Sequence, residues 1–162
     1  MKKVKVIILI LLIILAAIIY FVWSQPKEIG PLIEVEGASV FINNNLINAE
    51  IAASSEELIR GLSGRLEIRD NQGMLFVFPE ADLRSFWMKD MNFAIDLLWI
   101  NNNQIVGFEH NMLPPETGLS DSNLPRYISP SPVNKVLEFS SGSIEKFDIK
   151  VGDEVKIQYY SS

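Results

Sequence analysis

Gly73-Met74-Leu75-Phe76-Val77-Phe78, closed by Pro79, sets the class of structure this chain forms. The run is of strand length and continuously apolar, the pattern of a β-strand covered on both faces. Proline cannot donate to a ladder, so Pro79 is expected to stop it. On its N-terminal side, residues 39–42 and 46–52 are β-rich runs separated by Asn43, Asn44 and Asn45, which tolerate the left-handed backbone of a tight turn; this predicts a hairpin. Ser54 followed by Glu57 matches a capping box, and Leu58, Ile59 and Leu62 fall at helical spacing, predicting a short helix over 55–62 that stops at Gly64. On the C-terminal side, 84–89 and 95–100 read as strands, and Asn101, Asn102 and Asn103 supply a turn into a strand over 104–109. Residues 136–139 and 154–159 close the chain as strands, with Gly142 and Gly152-Asp153 as turns. Between them, 111–132 holds five prolines and few apolar residues, a long loop of the kind that often carries function. Seven or eight short strands with one or two short helices make a mainly β domain of the α+β class, a small sandwich or a partly closed barrel.

Ahead of this domain lies a different kind of sequence. Lys2, Lys3 and Lys5 precede residues 6–23, which carry no charge and can cross a bilayer core as a helix. The basic flank predicts a cytoplasmic N-terminus and an extracytoplasmic domain, hence a single-pass protein of the cell membrane. The run is longer than a signal peptide's apolar region and ends in Tyr20, Phe21, Val22 and Trp23, which predicts an uncleaved signal-anchor. The expected organisation is an anchor over 1–25, a linker over 26–37 rich in Pro and Gly, and a globular domain over 38–162.

Composition narrows the functions available. Beyond the anchor there are 11 basic and 20 acidic residues, a formal charge of −9, which makes nucleic acid and anionic surfaces poor partners. There is no cysteine, so disulfides, thiolate metal sites and cysteine nucleophiles are excluded, and the domain must be held by burial alone. His110 is the single histidine, and no metal-ligand spacing, phosphate-binding glycine loop or nucleophile elbow is present; no metal or other cofactor is implied.

Five residues stand out as binding candidates: Arg60, Trp87, Lys89, Asp96 and Glu138. Asp96 alternates with Leu98 and Ile100, so it faces the core and needs either a cation, with Arg60, Arg65 or Lys89 as candidates, or several N–H donors. Trp87 and Lys89 share a face if their segment is a strand, which would set an ammonium beside an aromatic platform suited to a sugar or a carboxylate. Asp96 and Glu138 could serve as acid and base for glycoside hydrolysis if the fold brings them together.

The motifs together resemble domain-of-unknown-function family 192. The resemblance rests on Ser55-Glu56-Glu57-Leu58-Ile59-Arg60-Gly61-Leu62, the run from Gly73 to Phe78, Phe86-Trp87-Met88-Lys89, Ile95-Asp96, Val136-Leu137-Glu138 and Gly152-Asp153, in order over about residues 40 to 158. The chain departs from the family pattern at Asp90, Met91, Ala94 and Ser63. The resemblance implies a compact, β-rich, often exported or tethered domain, with Arg60, Lys89, Asp96 and Glu138 at its polar motif positions, and it supplies no activity. The expected function is a ligand- or partner-binding module of the cell envelope, its ligand an envelope polymer, a small molecule or a protein. An envelope hydrolase or carbohydrate-active enzyme using Asp96 or Glu138, and a structural subunit of a membrane complex, are the alternatives.

Overall fold

Leu15, Tyr20 and residues 36–161 are described by the computed structural model. The anchor assigned to 1–25, apart from Leu15 and Tyr20, and the linker up to residue 35 lie outside the described residues. Among the described residues no helix is long and apolar enough to cross a membrane.

The apolar run from Gly73 lies in β3 (Gln72–Asp82), where Gly73, Met74, Leu75 and Phe76 are all buried, so the expected two-sided cover is present. β1 (Gly37–Ile42) and β2 (Asn45–Ala52) form the predicted hairpin, with Asn43 and Asn44 at φ 48° and 66°. β2 then pairs in parallel with β3. A tight turn cannot join parallel strands, and the chain crosses over through α1 (Ser55–Arg60). The Ser54 side chain accepts from the Glu57 N–H, and the Glu57 carboxylate accepts from the Ser54 N–H at 3.0 Å, completing the capping box. The helix ends two residues earlier than 62, because Gly61 takes φ 52°, ψ −133°, a conformation that breaks the helical path.

β5 (Ile95–Asn101), β6 (Gln104–Met112), β8 (Val133–Ser140) and β9 (Lys156–Tyr160) complete one seven-stranded sheet in the order β6-β5-β8-β3-β2-β1-β9. The expected sandwich does not form and the sheet does not close: all the long strands share one ladder, and β4 (Ser85–Phe86) and β7 (Tyr127–Ile128) are too short to make a second layer. The ends of the sheet nevertheless approach each other, through a bridge between Gln104 and Glu154 and a 3.0 Å bond from Ile105 N–H to Asp153 O.

Three local expectations are corrected. β3 runs through Pro79 to Asp82, because its ladder with β8 is interrupted between Val77 and Asp82 and asks no N–H of the proline. The strand expected over 84–89 is reduced to β4, after which Asp90 adopts φ 54° and the backbone turns. A second helix, α2 (Ser143–Lys146), follows Gly142 where only a turn was expected.

Period-two alternation sorts the side chains onto two faces. One face, inside the curve of the sheet, packs Val40, Ile47, Leu75, Leu98, Leu137 and Phe139 with Ile144 of α2. The other packs Phe76, Leu97, Trp99 and Val136 beneath Leu62, Met88, Met91 and Phe86. Glu138, two residues after Val136, points to this second face; Asp96, two before Leu98, points to the first.

Candidate functional site

The site is built around Glu138. In the ladder it lies between Met74 of β3 and Leu97 of β5, so hydrocarbon flanks it on both sides. Gly73 fixes this neighbourhood: a Cβ there would stand 2.8 Å from the Glu138 carbonyl oxygen, so only glycine lets β3 lie this close to β8. Glu138 is 5% exposed, and its Oε2 has no hydrogen-bond partner. Burial away from water pushes its carboxyl up to about 8, so at neutral pH it is a neutral acid with a proton to donate.

Above Glu138 lies a cavity of about 270 Å³. Its walls are aromatic: Phe76 meets Phe86 edge-on at 4.9 Å between centroids, with Phe78 and Trp87 beside them. One side is formed by α1 and the turn after it, including Arg60, Gly61 and Leu62. Gly61 matters here by what it lacks, since a Cβ would stand 3.1 Å from Phe76 Cζ and 3.7 Å from Glu138 Oε2. Ile59, 76% exposed, and Leu83, 58% exposed, give the lining an apolar outer part.

Arg84 supplies the second polar group. Its backbone is held by Ser129, whose hydroxyl accepts from Arg84 N–H at 2.9 Å and whose own N–H donates to Arg84 O at 2.9 Å. Its guanidinium stacks 4.0 Å over the Phe78 ring, and Nη2 donates to Glu80 O at 2.8 Å. Nε is buried and has no acceptor. Arg84 Nε and Glu138 Oε2 are thus the two buried side-chain polar atoms without partners among the described residues, and the two residues that carry them line one cavity.

Of the five residues singled out from sequence, Arg60, Trp87 and Glu138 meet at this cavity. Lys89 does not line it; it pairs with Asp121 of the long loop, and that contact holds its ammonium above its ordinary range. Trp87 is no open platform, because Arg126 stacks on its ring at 3.8 Å while the Lys89 ammonium stands at 5.5 Å. The 111–132 loop is therefore pinned at Asp121, Arg126 and Ser129.

Asp96 lies on the opposite face of the sheet, 1% exposed. Its Oδ1 accepts from Asn111 N–H and its Oδ2 from Ile144 N–H, each at 2.9 Å. The N–H donors weighed from sequence are what it finds, and none of the candidate cations reaches it: Arg60 pairs with Glu56 at 3.5 Å, Arg65 grips Glu50 at 2.5 and 2.6 Å, and Lys89 is engaged with Asp121. Asp96 and Glu138 cannot flank one bond, since the sheet separates them. Sequence reasoning missed Arg84 and the Phe76, Phe78 and Phe86 walls. Alternation along β3 could have placed Phe76 and Phe78 on the Glu138 face, but nothing local marks Arg84.

These features define a class: a mainly β domain on one open seven-stranded sheet, with a carboxylic acid buried at the base of an aromatic cavity. The chain belongs to the family DUF192, described as Uncharacterized ACR, whose profile matches residues 38–157. Two solved structures share the fold. One is a candidate transcription regulator from Sinorhizobium meliloti 1021, 23% identical, with a TM-score of 0.65 over 78% of this chain and 97% of that one. The other is a protein of unknown function from Novosphingobium aromaticivorans DSM 12444, 22% identical, with a TM-score of 0.66 over 82% of this chain and 94% of that one. No functionally curated protein matches the chain.

Proposed function

We propose that the domain is a ligand-binding module whose cavity at Glu138 takes up a small, mostly apolar molecule bearing one hydrogen-bonding group. The observation that carries this is the pair of orphaned polar atoms, Glu138 Oε2 and Arg84 Nε, on two residues that line one cavity. Buried polar groups normally find partners, and leaving two unpaired costs stability. A site that gains both partners when a ligand enters recovers that cost as affinity. The aromatic walls supply the apolar contact expected of a small-molecule pocket. In the same proposal residues 6–23 hold the module at the membrane with the domain outside, and nucleic acid is not its partner, because the part beyond the anchor carries a formal charge of −9.

The test is a screen of single-ring fragments against the full-length protein, followed by backbone amide NMR. Hits are expected to raise the melting temperature and to shift Gly61, Phe86 and Glu138 together. A diverse library that shifts none of these three overturns the proposal.

A further inference from the structure

We infer that the ligand of this cavity is an apolar monocarboxylate, a single ring or short branched chain whose carboxylate accepts hydrogen bonds from both Arg84 and Glu138. This rests on the ligand-binding proposal above and adds the chemical class.

Charge gives the first argument. Among the described residues the ionisable side chains that line the cavity are Arg60, Arg84 and Glu138. Arg84 makes no ion pair among the described residues, and its Nη2 donates to the backbone carbonyl of Glu80. Arg60 pairs with Glu56 on its own helix, at 3.5 Å and with both side chains mostly exposed. Glu138, desolvated and flanked by Met74 and Leu97, is uncharged at neutral pH. The lining is therefore cationic although the domain around it is acidic, and a cationic ligand would meet the Arg84 guanidinium with no carboxylate paired to it among the described residues.

Hydrogen-bond inventory gives the second. A guanidinium N–H can only donate, and a protonated carboxyl also donates through its hydroxyl. Two donors on the lining of one cavity call for an acceptor, and an anionic acceptor makes the stronger, charge-assisted bonds. A carboxylate offers two oxygens in one plane, one for each donor. Size and shape supply the rest. At about 270 Å³ the cavity falls just below the range for drug-sized ligands, so a single ring with one polar group is the scale it admits. The Phe76 and Phe86 rings give that body apolar walls.

The experiment titrates the full-length protein with benzoate, benzamide and benzylammonium, three probes of one shape and different charge, following the Gly61, Phe86 and Glu138 amides. Benzoate is expected to bind at least about tenfold more tightly than either of the others. Arg84→Gln is expected to weaken benzoate by about 10- to 100-fold while leaving benzamide within about twofold. If benzamide or benzylammonium matches benzoate at these amides, the carboxylate inference is overturned and the ligand-binding proposal stands. If none of the three moves these amides, the carboxylate inference is overturned, and the diverse fragment library decides the ligand-binding proposal separately. The comparison of probes on the unaltered protein decides the matter even if Arg84→Gln folds poorly.

Discussion

Asp96 and Glu138 are two buried carboxyls on neighbouring strands, and the sheet treats them in opposite ways. Asp96 faces the curved core and has each oxygen filled by a backbone N–H, from Asn111 at the end of β6 and Ile144 in α2. It fastens two distant segments to the middle of the sheet. Glu138 faces the other side between Met74 and Leu97, with one oxygen unpartnered and an aromatic cavity above it. Burial alone therefore says little about role; the supply of donors does. A carboxyl whose bonding capacity is used up internally is scaffolding, and one left unsatisfied beside a cavity is available to something else.

The contrast can be broken most forcefully at Asp96. Asp96→Ala strands the buried Ile144 N–H and the part-buried Asn111 N–H, and urea unfolding should show a loss of about 3 kcal/mol, with α2 losing amide protection first. A loss below about 1 kcal/mol would mean that Asp96 is not the fastener described. Glu138 should behave in the reverse sense and with a pH signature. Burial raises its folded-state value from the ordinary 4.5 to about 8, so the folded protein keeps a proton that the unfolded chain gives up. This contribution to stability is full below about pH 4.5, shrinks as pH rises, and is exhausted near pH 8. Glu138→Gln, which cannot ionise, should thus gain about 3 kcal/mol relative to the natural protein between pH 4.5 and 7. Parallel stability curves for the two proteins would show that Glu138 titrates normally.

Smaller effects sharpen the description of the cavity. Gly61→Ala sets a Cβ against Phe76 and Glu138 at a backbone angle that disfavours it, and should cost about 1–2 kcal/mol and weaken fragment binding, as calorimetry and NMR would register. Arg126→Gln removes the guanidinium from the Trp87 ring and should change stability by less than about 1 kcal/mol, while hydrogen exchange over 119–126 accelerates. Unchanged exchange there would mean that the loop is held by its other contacts.

Local chemistry made the backbone readable where each signal stood alone. The asparagine turn at 43–44, the Ser54–Glu57 box and the two-sided cover of Gly73 to Phe76 all appear as the residue types require. Pro79 misled because the same residue ends an ordinary ladder and is tolerated where a ladder is already broken. The site was legible only in part. Glu138 shows its face by alternation with Val136, yet whether a buried carboxyl meets donors depends on strands and helices far away in sequence, so Asp96 and Glu138 looked alike. Arg84 was invisible because its setting needs the chain after β3 to fold back over Phe78 and Glu80 and its backbone to be held by Ser129, far along the sequence.

The position of β9 has a consequence for how the domain comes to be. It pairs with β1, setting Gly37 opposite Tyr160, so among the described residues the first strand finds its outer neighbour only in the last one. During synthesis β1 keeps an open edge until residues 156–160 have emerged, and the ladder that covers it joins segments more than a hundred residues apart. Pairings of such long separation form late and slowly, and an uncovered edge invites another chain in the meantime. Nascent copies of this domain are accordingly open to one another along β1 until the five residues of β9 have arrived and paired.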